Sequence, residues 1–129
     1  MPPREDLHRA KSKSNEDFAD SLNHEQSHQE GWAVVATFYS ALHYVQMYFA
    51  RFSMEIKGHD ARFEEIKKDK RLINALSSYR FLYDLSMRAR YECVLIDSGT
   101  YRKDARPRLD QIKKQVDHAL ADAEKARIG

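Results

Sequence analysis

Cysteine is nearly missing from this chain. Cys93 is the only one in 129 residues. That excludes an internal disulfide framework and suits a reducing compartment. Glycine and proline are scarce too. Gly31, Gly58, Gly99 and Gly129 fall between or after stretches of periodic apolar residues, and the prolines are Pro2, Pro3 and Pro107. No two glycines lie near each other, so there is no glycine-rich phosphate loop. Net charge of one sign is also lacking. At +2 the chain has no global field to recruit nucleic acid, and such a role must rest on local patches. No apolar run approaches the length of a membrane span. The opening MPPREDLHRAKSKSNEDF holds no apolar core of a secretory signal, so the expected location is the cytoplasm, with no membrane partner.

What is present is a balance of 33% charged and 42% hydrophobic residues, which fits one folded domain over 1–129. Segments free of helix breakers show helical periodicity. The first, about 4 to 23, places Leu7, Ser14, Phe18 and Leu22 along one side. The second, about 30 to 53, carries Val35, Phe38, Leu42, Val45, Phe49 and Phe52 on one face. Its other face, Ala36, Tyr39, Ser40, His43, Met47 and Ala50, is also poor in charge. A helix apolar nearly all round is buried on more than one side. The Ala36, Ser40 and His43 side is therefore expected to meet the third long helix or a second subunit. A short helix, ARFEEIKK, precedes a long one over about 71 to 95, whose stripe is Leu72, Leu76, Tyr79, Tyr83, Ser86, Arg90 and Cys93. The last helix, about 104 to 127, takes Asp104 as N-cap and turns Ile112, Val116, Ala119 and Ala123 inward. No strand pattern appears. The expected fold is all-α: an antiparallel up-and-down four-helix bundle with a short extra helix before the third long one.

Residues 24 to 28, HEQSH, spell His-Glu-x-x-His, the pattern with which zinc proteases hold their metal. Here it lies in polar sequence between two helices, and no spacing favours a third ligand among His8, His43, His59 and His118. The expectation is a solvated helix end with His24 and His28 exposed and no metal. A di-iron bundle fares no better, because few acids fall on the inner stripes to join a Glu-x-x-His such as Glu25 to His28. Ser40 and His43 lie one turn apart without an acid to orient the histidine, which argues against a hydrolase triad. No cofactor is called for.

Polar residues interrupt two of the apolar stripes. Tyr39 and His43 follow one another on the second helix, and Tyr79, Tyr83, Ser86 and Arg90 on the third long one, flanked by Arg88 and Tyr91. Burying an unpaired Arg or His is expensive. His43 and Arg90 are therefore expected to converge in one polar cluster with Tyr39, Tyr79 or Ser86. That cluster is either a structural network or a cleft that binds phosphate and moves protons. Short basic runs, KKDKR at 67–71 and YRKDARPR at 101–108, lie near the expected rim, with Tyr91 and Tyr101 available to stack on bases.

Three stretches together, WAVVATFYSALHYVQ, GHDARFEEI and SSYRFLYDLSMRARYE, resemble small bacterial proteins of the HEPN superfamily (higher eukaryotes and prokaryotes nucleotide-binding). The resemblance covers about 32 to 92 and rests on the order of Trp32, Phe38, Tyr39, His43, His59, Arg62, Tyr79, Leu82, Ser86, Arg90 and Tyr91. It implies an all-α bundle, commonly a homodimer. Many such proteins bind RNA or cleave it without a metal, often in toxin–antitoxin or antiviral systems. If the chain is catalytic, the candidate catalytic residues are His43 and Arg90, from different helices, with His43 as acid or base and Arg90 on the phosphate. Tyr39, His59, Arg62, Tyr79, Ser86, Arg88, Tyr91, Arg102 and Lys103 are candidates to contact RNA or a nucleotide.

In the nucleolytic members an Arg and a following His have four to six residues between them. Here Arg4 and His8 have three residues between them, Arg51 and His59 seven, and Arg108 and His118 nine. The motif is absent, so catalysis would need His43 and Arg90 to meet in space. The rival expectation is a non-catalytic interaction module that works beside a protein partner, with a purely structural polar core.

Overall fold

The stretch poorest in charge becomes the centre of the fold. In a computed structural model, which describes residues 4–22, 27–92 and 96–128, the helix Ser27–Arg51 (α2) buries every residue from Ala33 to Ala50 except the half-buried Tyr39 and His43. Around it pack Glu5–Ser21 (α1), Leu76–Tyr91 (α4) and Arg106–Ile128 (α5), with His59–Lys68 (α3) lying against α4. Among the described residues the chain is all-helical and has no strand. None of these helices is long and apolar enough to cross a membrane.

The Ala36, Ser40 and His43 side of α2 meets α1, not the third long helix. Ser12 Oγ donates to the Ser40 carbonyl at 2.8 Å, and Ser40 Oγ donates back to the Ser12 carbonyl at 2.9 Å. This reciprocal pair works only where two helices approach closely over small side chains. It sets the face that α1 buries, which is His8, Ser12, Glu16 and Ala19. The expected stripe is overturned: Leu7 is 43% and Phe18 50% exposed, and Ser14 faces water. Of the stripe's three large apolar residues only Leu22, just past the helix end, packs against the core, and three polar groups that each find a partner across the interface outweigh the other two. Phe52, expected inside, is 43% exposed just past the end of α2.

Asp69 explains why the third long helix starts at Leu76 and not near 71. Its Oδ1 accepts the backbone N–H groups of Arg71 (2.8 Å) and Leu72 (3.0 Å), and its Oδ2 takes the Tyr48 hydroxyl at 2.8 Å. A side chain that captures backbone donors two and three residues on favours a turn over a continuing helix. A single 3₁₀ turn, Ile73–Ala75, then leads into α4. Ser78, Tyr79, Leu82, Leu85 and Ser86 form the buried face of α4. Cys93 lies outside the described residues.

Asp104 is not a cap, because the chain is already helical there. Tyr101–Ala105 forms a π turn in which the Arg106 N–H reaches back five residues to the Tyr101 carbonyl. Pro107 has no N–H to give and its ring crowds the preceding turn, so a widened turn is where the helix absorbs it. Leu109, Ile112, Val116 and Ala119 then pack inward, while Ala123 is only half-buried. Tyr101, expected at the surface, is buried: its N–H donates to the buried Glu30 carboxylate at 2.6 Å and its hydroxyl to Asp20.

One guanidinium ties α5 to α1. Arg106 donates to Glu16 at 2.5 Å, to Asp20 at 2.8 Å and to Asp110 at 3.1 Å, and Lys113 donates to the other Glu16 oxygen at 2.7 Å. Burial pulls the Arg106 pKa down, but the Tyr101 hydroxyl, Asp20 and Asp110 together hold it well above the usual guanidinium range. Glu16 is only 6% exposed, so its charge depends on these partners. Arg106→Ala is expected to lower unfolding stability by about 2 kcal/mol or more in urea melts, because it leaves the buried Glu16 carboxylate to Lys113 alone and frees one of its oxygens from any partner. Arg106→Lys should recover less than half of that, lacking the planar fork. A loss below about 0.5 kcal/mol, the range of ordinary surface changes, would mean the clamp is dispensable.

Candidate functional site

The part of α2 left open after α1 and α4 have packed runs along Trp32, Tyr39 and His43, spaced so that all three share one face. Trp32 is 59% exposed. Polar side chains from α1, α3, α4 and the loop after α2 gather along this line.

At one end His43 Nδ1 lies 2.8 Å from His8 Nδ1, with the two rings stacked at 5.1 Å between centroids. His8 is buried, and its Nε2 is 3.4 Å from both carboxylate oxygens of Glu55. Burial, then the charges of His8, Lys11 and Arg62, push His43 down to about 4, with Glu55 pulling the other way. His43 is therefore neutral at physiological pH.

In the middle stands Arg62, 6% exposed. Its three contacts are long and neutral: the Gln46 side-chain carbonyl at 3.4 Å, the Ile56 carbonyl at 3.4 Å and His59 Nδ1 at 3.3 Å. No carboxylate pairs with it among the described residues. The Arg62 guanidinium can only donate, so His59 Nδ1 receives and carries no proton. Burial first, then the charges of Arg62 and Arg90, lower the His59 pKa, and its ring packs 4.9 Å from Tyr83 and 5.8 Å from Phe38. Gly58, at φ 92°, turns the chain into α3 in a backbone conformation that L side chains rarely adopt, which sets His59 and Arg62 over α2.

At the other end Arg90 is exposed. It donates to the Tyr39 hydroxyl at 3.0 Å and to the Tyr91 hydroxyl at 2.8 Å, and it lies 4.8 Å from the centre of the Tyr91 ring. Again no carboxylate partners it among the described residues. The expected convergence of His43 with Arg90 in one cluster is not found. Arg90 joins Tyr39, but His43 joins His8 and shares no hydrogen bond with Arg90. Position 90 lies at the last turn of α4, outside its buried face, and its long stem carries the charge out to water. Arg62, and not Arg90, is the guanidinium whose charge bears on His43.

Two of the sequence candidates lie where no ligand reaches them. Tyr79 is fully buried, with its ring 5.5 Å from Phe38 and 5.6 Å from Phe63, and Ser86 is 1% exposed. Among the described residues neither hydroxyl has a partner at good hydrogen-bonding geometry, though the Arg62 guanidinium comes close to the Tyr79 phenol. Burial raises the Tyr79 phenol to about 12, against the opposing charge of the nearby Arg62. These two belong to the core beneath the strip. Arg88, Arg102 and Lys103 are exposed, the last two in the π turn beside the first turn of α2. His24, Glu25 and the His28 side chain lie outside the described residues. Among the described residues no group of three or more His, Cys, Asp or Glu side chains is placed to hold a metal.

Sequence reasoning gave no part to His8, Glu55 or Gln46. His8 shares a stripe with Ser12, Glu16 and Ala19, which is as regular as the apolar stripe chosen over it. That polar periodicity was the available signal. Glu55 comes from a loop and carries no periodic signal at all.

The His43 shift makes stability depend on pH. Its folded pKa lies below the ordinary 6.5, so the native state binds fewer protons than the unfolded chain between 6.5 and about 4. The stabilising effect is complete above 6.5 and is lost as pH falls toward the folded value. Urea midpoints should therefore decline across that window, and His43→Gln should flatten the decline. An equally steep decline in the variant would assign it to other groups.

No protein-family model, curated protein or solved structure matches the chain.

Proposed function

We propose that this chain is a HEPN-like protein, an up-and-down four-helix bundle carrying the short α3, that forms a homodimer and binds RNA or a nucleotide along the Trp32–Tyr39–His43 strip. One observation carries the reading. The charges of two guanidiniums, Arg62 and Arg90, both bear on His59, and neither has a carboxylate partner among the described residues. A buried cation without a counter-charge is costly to keep, and an incoming phosphate would supply the missing charge. Trp32, Tyr39 and Tyr91 offer ring faces on which unpaired bases stack, and Arg102 and Lys103 extend the positive surface.

The resemblance adds a role of toxin–antitoxin or defence type, and the single cysteine suits the cytoplasm. Endoribonuclease activity is weak or absent, given the missing Arg–His motif. Any cleavage proceeds without a metal, with His43 exchanging the proton and Arg62 stabilising the phosphate.

The rival reading is an interaction module that docks a protein partner. The exposed Leu7, Phe18, Trp32 and Tyr91 favour it, since large apolar side chains at a surface attract protein.

Arg90→Ala separates the two. Its bonds are to exposed hydroxyls, so thermal melts should shift by no more than about 0.5 kcal/mol of stability. Fluorescence anisotropy with a labelled single-stranded RNA of about ten nucleotides should show binding that weakens with salt, and roughly tenfold weaker binding by the variant. Unaltered RNA affinity in Arg90→Ala, or no RNA binding by the parent protein, would favour the interaction module.

A further inference from the structure

Where α2 ends, a cavity of about 620 Å³ lies between its last residues, the turn before α4 and the last two turns of α5. None of its walls belongs to the Trp32–Tyr39–His43 strip. The volume falls within the range of ~300–1,000 Å³ usual for small-molecule sites.

The floor is apolar. Phe52 packs edge-on against Tyr48, with 5.1 Å between ring centres. Leu120, Ala123 and Ala126 supply the rest, three residues apart and therefore on one face of α5. The short alanine side chains leave volume that Phe52 does not fill. The backbone fixes where Phe52 stands. Ser53 has φ 61°, its N–H donates to the Ala50 carbonyl at 2.9 Å, and the Met54 N–H donates to the Phe49 carbonyl at 3.0 Å. These two bonds make a Schellman cap, a device usually built on glycine. The cap stops α2 at Phe52 and also occupies two carbonyls at its negative end.

The rim is cationic. Three guanidiniums line it, Arg51, Arg71 and Arg127, against one acid, Glu124. Arg127 donates to the two Glu124 oxygens at 2.6 and 3.3 Å. Arg51 donates to Glu5 at 2.6 Å. Arg71 is left over. Its backbone N–H is pinned to Asp69 Oδ1 at 2.8 Å, and its guanidinium bears on the neutral Tyr48 phenol. No carboxylate forms an ion pair with it among the described residues. Asp69 itself is occupied by two backbone N–H groups and the Tyr48 hydroxyl.

Charge and surface together select a guest. A purely apolar molecule leaves Arg71 unanswered. A bare inorganic anion leaves the floor wet. A second negative charge would meet Glu124. We propose that this cavity binds a monocarboxylate with an apolar body, of the class of a medium-chain fatty acid. The carboxylate takes the two parallel N–H groups of the Arg71 fork, and the chain lies between Phe52 and α5. The site needs neither RNA nor a second subunit.

A titration of the full-length protein with sodium octanoate, followed in ¹H–¹⁵N spectra, tests this. The backbone amides of Phe52, Arg71 and Ala123 should shift and saturate, with a Kd below about 1 mM. 1-Octanol offers the body without the charge, and acetate the charge without the body. Each should bind at least about tenfold more weakly, the worth of a charge-assisted hydrogen bond or of the buried chain. Arg71→Met keeps the backbone N–H that Asp69 holds, and it should bring octanoate down to the affinity of octanol while leaving octanol unchanged. Ala123→Phe fills the cavity and should abolish binding of both. Octanoate shifts that fail to saturate, or that fall on the strip instead, overturn the site. Octanol binding as tightly as octanoate, or an unaltered octanoate affinity in Arg71→Met, overturns the ligand class. Arg71 is exposed, so that variant decides the matter even where Ala123→Phe does not fold.

Discussion

A helix that turns its polar stripe inward obliges its neighbours to satisfy it. In α1 the buried side chains His8, Ser12 and Glu16 each face a different demand, and each is met by another part of the chain: His43, Ser40, and Arg106 with Lys113. Hydrogen bonds of this kind are directional, whereas apolar contact is not. They fix the rotation of α1 about its axis and its register along α2. They also tie it to α5, which reaches α1 again where Arg106 donates to Asp20. Slide α1 by one turn and all three fail together.

That rotation decides what is left outside. With the polar stripe inward, Leu7 and Phe18 face water, and α2 stays uncovered along Trp32, Tyr39 and His43. The same choice brings His8 to His43. The clustering of His and Arg on one strip is thus a by-product of the way α1 seats itself, and the core below it, Phe38, Tyr79 and Phe63, holds the strip flat through ring contacts. The candidate site and the packing of the first helix cannot be separated.

Much of the fold could be read from the residues. The scarcity of Gly and Pro inside segments and the charge-poor second segment gave the helical class and the central helix. What failed were the places where one polar side chain outweighed the local pattern. Asp69 delays α4 by capturing backbone donors, which propensity does not register. The seating of α1 was misread because apolar stripes were weighed and polar ones were not. In the site, Tyr39, His43, His59, Arg62, Arg90 and Tyr91 were all identified and all lie along one strip. Their grouping was beyond reach, since Arg90 and His43 stand on different helices and His8 and Glu55 complete the latter's surroundings from a helix and a loop. Tyr79 and Ser86 read as polar interruptions, yet the packing simply encloses them.

The π turn before Pro107 has a bearing on phase. In a regular α-helix, residues five apart point in clearly different directions. Here the widened turn brings Tyr101 and Arg106 to the same side, close enough for the guanidinium to donate to the phenol at 3.1 Å while both reach Asp20. The extra residue works as a phase shifter in the rod: everything after it is turned by about 100° relative to the crossing segment before it. The buried stripe of α5 and its charged clasp on α1 are thereby both set by one irregular turn, whose length is as much a specification of the fold as any side chain in the core.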